Sequence, residues 1–216
     1  SKSNFLDSNK DYLFDFESKE VYFPKNSFFD SIPLVVKEEG EKILVGENKY
    51  PLQKPFEIRY KIPKLDSLIR SQSFIAMLNS KGEPYFFSNQ KKEGFWIGKS
   101  KTLGAFTISR DSIPPTLKPL NFKNDQWLSS FNYLRVKLTD DYSGIKSFRG
   151  EINGRWIRLE HEPKNNTLIY NFNDLIFDEA LHRLSIEAED RAGNVTILEM
   201  DFFRKQKKID QVNNSK

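Results

Sequence analysis

Apolar and polar residues alternate with a period of two along most of this chain, in short runs punctuated by Gly, Pro, Asn and Asp. "FEIRYKI" is the cleanest case, with Phe56, Ile58, Tyr60 and Ile62 on one face and Glu57, Arg59 and Lys61 on the other. Period two is the strand period, because successive side chains point to opposite faces. "EVYFP", "SIPLVV" and "KILVG" are shorter apolar runs of the same kind. "SFIAMLNSKGEPYFF" reads as two strands about a KGEP turn, and "EGFWIGKSKTLGAFTISRD" supplies two more. Turn signals recur about every 8–12 residues, the mark of a sandwich or barrel. Only "PKLDSLIRSQ" suggests a turn or two of helix.

The second half alternates more sharply. "YLRVKL" sends Leu134, Val136 and Leu138 to one side, "HRLSIEAED" does so with Leu184, Ile186 and Ala188, and "NVTILEMDFF" with Leu198, Met200 and Phe202. "DRAGN" makes the turn between the last two. In "DDYSGIKSFRGEINGRWIRLE", Asn153-Gly154 is the strongest short-range hairpin signal. With that turn, Ile152 pairs with Arg155, Gly150 with Ile157 and Phe148 with Leu159 on an apolar face. Glu151 then opposes Trp156, Arg149 opposes Arg158 and Ser147 opposes Glu160 on a charged one. A slip of one residue would mix the two faces. Six or seven short antiparallel strands in about 90 residues fit an immunoglobulin-like sandwich, without the Cys and Trp landmarks of antibody domains.

The two regions meet at "RDSIPPTLKPLNF", where Pro114, Pro115 and Pro119 fix φ, remove donors and force extended neighbours. The chain therefore divides into a flexible segment over 1–11, a β-sandwich over 12–112, an immunoglobulin-like β-sandwich over 113–204 and a basic disordered tail over 205–216. The expected class is all-β, two β-sandwich domains in tandem. Composition agrees: 19 Phe, 8 Tyr and 3 Trp can fill two cores, and 216 residues suffice for both.

Charge matters by its location. From Arg204 to Lys216 five basic residues and one acid give +4, the whole of the chain's formal charge, so the rest is neutral. A body built to grip nucleic acid is not indicated. With no cysteine, disulfides, thiolate catalysis and Cys-ligated zinc are excluded. No apolar run approaches the ~20 residues of a membrane span. "SKSNFLDSNKDY" opens without an initiator Met and is not a signal peptide, so a processed or excised piece of a longer protein is expected.

Candidate chemistry is sparse. A catalytic zinc site takes about three protein ligands, and this chain offers only His161 and His182. Asp140, Asp141 and Asp190 stand at strand ends and are the calcium candidates. The plainer reading is that each Asp brackets a tight turn through its own backbone. With 30 acids, spacing selects no glycosidase pair, and neither a nucleophile elbow nor a phosphate loop is written. Aromatics carry the binding signal. "PYFFSNQKKEGFW" places Tyr85, Phe87, Phe95 and Trp96 close in sequence, and Trp156 lies within cation–π reach of Arg149 and Arg158. These seven residues suit a sugar platform or a protein interface, with core filling and inter-domain packing as the plainer reading. The Asn-x-Ser/Thr matches at Asn165, Asn194 and Asn213 matter only in a eukaryotic secretory pathway. No cofactor is called for.

Three stretches together, "SRDSIPPTLKPLNF", "LTDDYSGIKSFRGEINGRWIRLEHEPKNNTLIYNF" and "HRLSIEAEDRAGNVTILEMDFFR", resemble the C-terminal region of secreted lysostaphin-type zinc metallopeptidases of Bacteroidetes, where paired β-domains follow the catalytic domain. The resemblance covers roughly Val21 to Arg204. It implies a periplasmic, outer-membrane-surface or secreted location, and an accessory role. In that family zinc is held by H-x-x-x-D and H-x-H motifs. His161 is followed by "EPK" and His182 by "RLS", so neither motif can be written here. The resemblance implies a non-catalytic region that docks to an attached peptidase domain or another envelope protein, the alternative being a wall or surface glycan.

Overall fold

Where the alternation is strict, the backbone pairs into strands. The computed structural model describes residues 2–64, 66–176 and 179–205. The chain separates into two units, Ser1–Ser112 with Arg191–Gly193, and Ile113–Asp190 with Asn194–Lys216.

The first unit runs β1 (Lys2–Leu6), β2 (Tyr12–Asp15), β3 (Lys19–Phe23), β4 (Ile32–Glu39), β5 (Lys42–Val45), β6 (Phe56–Lys61), α1 (Ser67–Gln72), β7 (Ser73–Leu78), β8 (Pro84–Ser88), β9 (Gln90–Lys92), β10 (Phe95–Ser100) and β11 (Gly104–Arg110). They form two antiparallel sheets, β1-β4-β5-β11-β7-β8 and β2-β3-β6-β10-β9. Phe56, Ile58 and Tyr60 are buried, as the alternation of "FEIRYKI" requires. They meet Val21, Phe23, Ile43, Trp96 and Phe106 in one core. Phe23 stacks on Phe28 and Phe56 at 5.1 and 4.9 Å. Helix α1 starts where Asp66 caps it, its carboxylate accepting from the Leu68 amide at 2.8 Å.

The N-terminus corrects an expectation. The segment over 1–11, expected to be flexible, holds a paired strand, for β1 pairs with β4 from Lys2↔Val36 to Leu6↔Ile32 and Leu6 is fully buried. "SNFLD" has only two apolar residues, too short a pattern to reveal a strand whose partner lies about 30 residues on. Of the expected basic tail, all but Lys205 lies outside the described residues, and so does Asn213.

The second unit runs β12 (Thr116–Pro119), β13 (Gln126–Trp127), β14 (Tyr133–Thr139), β15 (Ile145–Ile152), β16 (Arg155–Ile157), β17 (Glu160–Glu162), β18 (Thr167–Asn171), β19 (Leu181–Asp190) and β20 (Val195–Phe203). One sheet is β12-β14-β18-β17 and the other β13-β20-β19-β15-β16. In immunoglobulin lettering these are A-B-E-D and G-F-C-C′, with β13 added parallel to β20. Leu134, Val136, Leu138, Leu184, Ile186 and Ala188 fill the core with Leu168, Tyr170 and Phe202.

The Asn153-Gly154 hairpin forms in the expected register, Gly150↔Ile157, Glu151↔Trp156 and Ile152↔Arg155. Asn153 and Gly154 both take positive φ, 51° and 73°, the primed turn that matches strand twist. The pairing stops there. Beyond Ile157 the chain leaves for the other sheet, where Glu160 to Glu162 pair with β18. The expected pairs Phe148–Leu159, Arg149–Arg158 and Ser147–Glu160 therefore do not form, although Phe148 and Leu159 both pack against the core.

Candidate binding face

The outward face of the second unit's five-stranded sheet is set by parity. On β20 the inward residues are Leu198, Met200 and Phe202, which leaves Val195, Ile197, Glu199, Asp201 and Phe203 outward. Register then places Leu181 beside Phe203, Arg183 beside Asp201 and Glu187 beside Ile197. Arg149 lies beside Glu187 and Trp156 beside Glu151. Five large apolar side chains stand exposed on this face: Trp156 at 57%, Ile197 at 56%, Trp127, Leu181 and Val195. Charges interleave them, with Lys146 on Glu189 at 2.8 Å and Arg183 on Asp201 at 3.2 Å.

Two of the expected binding residues fall on this face, Arg149 and Trp156, and they are coupled. The Arg149 guanidinium donates to the Glu151 carboxylate at 3.0 and 2.8 Å, and Glu151 is the register partner of Trp156. The expected arginine stacking on Trp156 is replaced by this ion pair and by a looser one between Arg158 and Glu160 at 3.7 Å. Both guanidiniums find a carboxylate two residues along the chain.

The aromatic cluster of the first unit does not assemble. β8 and β10 belong to opposite sheets, so residues close in sequence are split across the sandwich. Trp96 is 1% exposed and belongs to the core, where no ligand meets it. Phe87 packs edge-on to Phe106 at 5.2 Å. Tyr85 is exposed on an edge strand, and Phe95 is half-buried on the outer side of the other sheet, among Glu57, Arg59 and Lys99. Trp127 was missed because "NDQWLSS" shows no alternation. Its signal was a Trp-Leu pair in an otherwise polar stretch. It stacks on Phe203 at 5.2 Å and 27°, with the Lys205 ammonium 5.7 Å from its ring.

The acids bracket turns. Asp140 accepts from the amides of Tyr142 at 3.2 Å and Gly144 at 2.6 Å. Asp190 accepts from the Asn194 amide at 2.8 Å and its side chain at 2.7 Å, which also occupies that sequon's Asn. Asp140 and Asp190 each offer an oxygen within 4.8 Å of the other, but both already hold amide hydrogens. Asp141 is exposed and outside that pair. His161 is exposed and edge-on to Phe148 at 5.7 Å. His182 is buried and stacked on Phe202 at 5.0 Å. Burial holds its imidazole below the usual histidine range, against the hydrogen bond to the Arg204 carbonyl, which favours the charged form. Among the described residues no helix is long and apolar enough to cross a membrane.

Residues 3–111 match the Zu5-like domain, and with half of its length covered the chain belongs to the Zu5-like domain family. Among solved structures it is similar to the fibronectin(III)-like modules of CbhA from Clostridium thermocellum. That match has 14% identity and a TM-score of 0.34, over 71% of this chain and 86% of that one. No curated protein matches it.

Proposed function

We propose that this chain is a non-catalytic binding and positioning region of an exported, metallopeptidase-like cell-envelope protein. In this reading it makes protein–protein contact through the outward face of β13-β20-β19-β15-β16. The observation that carries the reading is the set of five exposed large apolar side chains on that one face. Interleaved aromatic, aliphatic and Arg side chains are the composition of recognition surfaces rather than of idle sheet faces. The envelope setting and the peptidase parent rest on the resemblance of "SGIKSFRGEINGRWI" and "DRAGN" described above. Glycan binding is the second reading, favoured by the exposed rings of Trp127 and Trp156.

A photo-crosslinking residue at position 156, in the native envelope, separates the two. Protein docking gives one discrete protein adduct, lost on Arg149→Glu. A truncating Trp156→Ala weakens the purified complex by about tenfold or more, the size of an interface hot spot. Absence of an adduct, with a saturable change in tryptophan emission on adding wall oligosaccharides, transfers the face to glycan binding. The native gene upstream of Ser1 tests the parent, which the reading expects to carry H-x-x-x-D and H-x-H.

A further inference from the structure

In the first unit, a groove lies between α1 and the turn joining β9 to β10. The Glu93-Gly94 turn, with φ of 53° and 83°, brings Gly94 back to the end of β6, where its carbonyl accepts from the Ile62 amide at 2.8 Å. Lys91 on β9 reaches across to α1 and donates to the Ser71 carbonyl at 3.2 Å. Between them opens a cavity of about 530 Å³, lined by Ile62, Pro63, Lys64, Arg70, Lys91 and Gly94. Among the described residues its wall carries three cations and no acid.

Nearby cations are neutralised. Arg59 pairs with Glu57 and Glu20, Lys92 with Glu93, and Lys99 with Glu57. Among the described residues Lys64, Arg70 and Lys91 have no carboxylate within ion-pair distance. Burial, and then the charge of Arg70, holds the Lys91 ammonium below the ordinary lysine range. Two cations that face one another without a counter-charge are an arrangement an incoming anion relieves.

We infer that this groove docks an acidic protein segment, whose carboxylates are taken by Lys64, Arg70 and Lys91. Charge complementarity supplies the sign of the occupant. The apolar wall supplies its form. A free phosphate has no apolar part to cover Ile62 and Pro63, whereas the methylene stems of Glu side chains can lie on them. Nucleic acid fits less well. No described lining residue is aromatic, so bases have no stacking platform, and the neighbouring concavity on β6, β9 and β10 carries Glu57 and Glu93, which break the positive track a phosphate backbone needs. The groove is in the first unit and does not rest on the face proposed above.

The test is fluorescence anisotropy of a labelled hexaglutamate peptide with the full chain at 20 mM salt. Saturable binding is expected, weakened tenfold or more at 300 mM salt and tenfold or more by Arg70→Glu with Lys91→Glu. The neutral pair Arg70→Gln with Lys91→Gln gives an intermediate loss, and the same charge change placed elsewhere, Lys42→Glu with Lys101→Glu, gives under threefold. A circular dichroism melt of each variant confirms its fold. Equal loss in the control pair, or no loss in the groove pair, overturns the site. A ten-residue oligothymidylate that binds more tightly than the peptide, and is lost with the same two cations, overturns the acidic-protein occupant.

Discussion

At the scale of single residues, His182 is a buried side chain whose protonation couples folding to pH. Its Nε2 lies 3.4 Å from the Arg204 carbonyl and its Nδ1 3.5 Å from the Asn153 amide nitrogen. The neutral tautomer protonated on Nε2 satisfies both, donating to one and accepting from the other. The folded pKa lies below the unfolded value of about 6.5, so the unfolded chain binds the proton first as pH falls. Glu179 opposes this shift and the Arg204 charge reinforces it. The contribution to stability is complete above about pH 6.5, shrinks as pH falls to the folded pKa, and is constant below. Urea midpoints from pH 8 to 5 should therefore drop more steeply for the wild-type chain than for His182→Gln; parallel curves would refute the argument. Gly98 is a second sensitive residue. A Cβ there would lie 2.4 Å from the Phe87 ring, so Gly98→Ala displaces a ring packed on Phe106. A loss of about 1–3 kcal/mol is expected in a denaturant titration, as for other overpacked cores.

At the scale of elements, what could be read from the sequence was whatever is local. "FEIRYKI", "YLRVKL" and "HRLSIEAED" reveal their inward faces because the period is two and the core covers one side. The primed turn at Asn153-Gly154 dictated its own register over three pairs. Pairing between distant segments was not readable. No pattern in "SNFLD" names β4 as its partner, and nothing in "PYFFSNQKKEGFW" says that β8 and β10 part to opposite sheets. The candidate site suffered from the same cause: Trp96 became core, Trp127 went unseen, and Arg149 and Trp156 met only because one hairpin holds both. Two substitutions weigh the elements. Leu6→Ala should cost about 2–5 kcal/mol, as for a fully buried leucine, whereas a loose leader would cost nothing measurable. Asn153→Ala loses a residue suited to positive φ and the bond its Oδ1 accepts from the Arg183 amide at 2.8 Å. Together these are worth about 2 kcal/mol by chemical denaturation.

At the scale of the whole molecule, the decisive feature is that hydrophobic burial is organised twice. Every member of the first core, from Leu6 to Phe106, comes from residues before Ser112, and every member of the second, from Phe122 to Phe202, comes from residues after it. A sandwich whose inward rows are filled by its own strands has the main driving force for folding within itself. The three tryptophans divide unevenly between the two. Trp96 is buried in the first unit, while Trp127 and Trp156 are exposed in the second. The red shift of tryptophan emission on unfolding therefore reports chiefly on the first unit, and Trp96→Phe should remove most of it. The second unit is best followed by circular dichroism. A fragment from Ile113 to Lys216 should keep a β-type spectrum and unfold cooperatively in urea, with a slope of about 1 kcal/mol/M for its size. A fragment that shows no transition, or a spectrum without strand signal, would mean that Leu134, Ile186 and Phe202 cannot hold their sheets together without residues that precede Ile113.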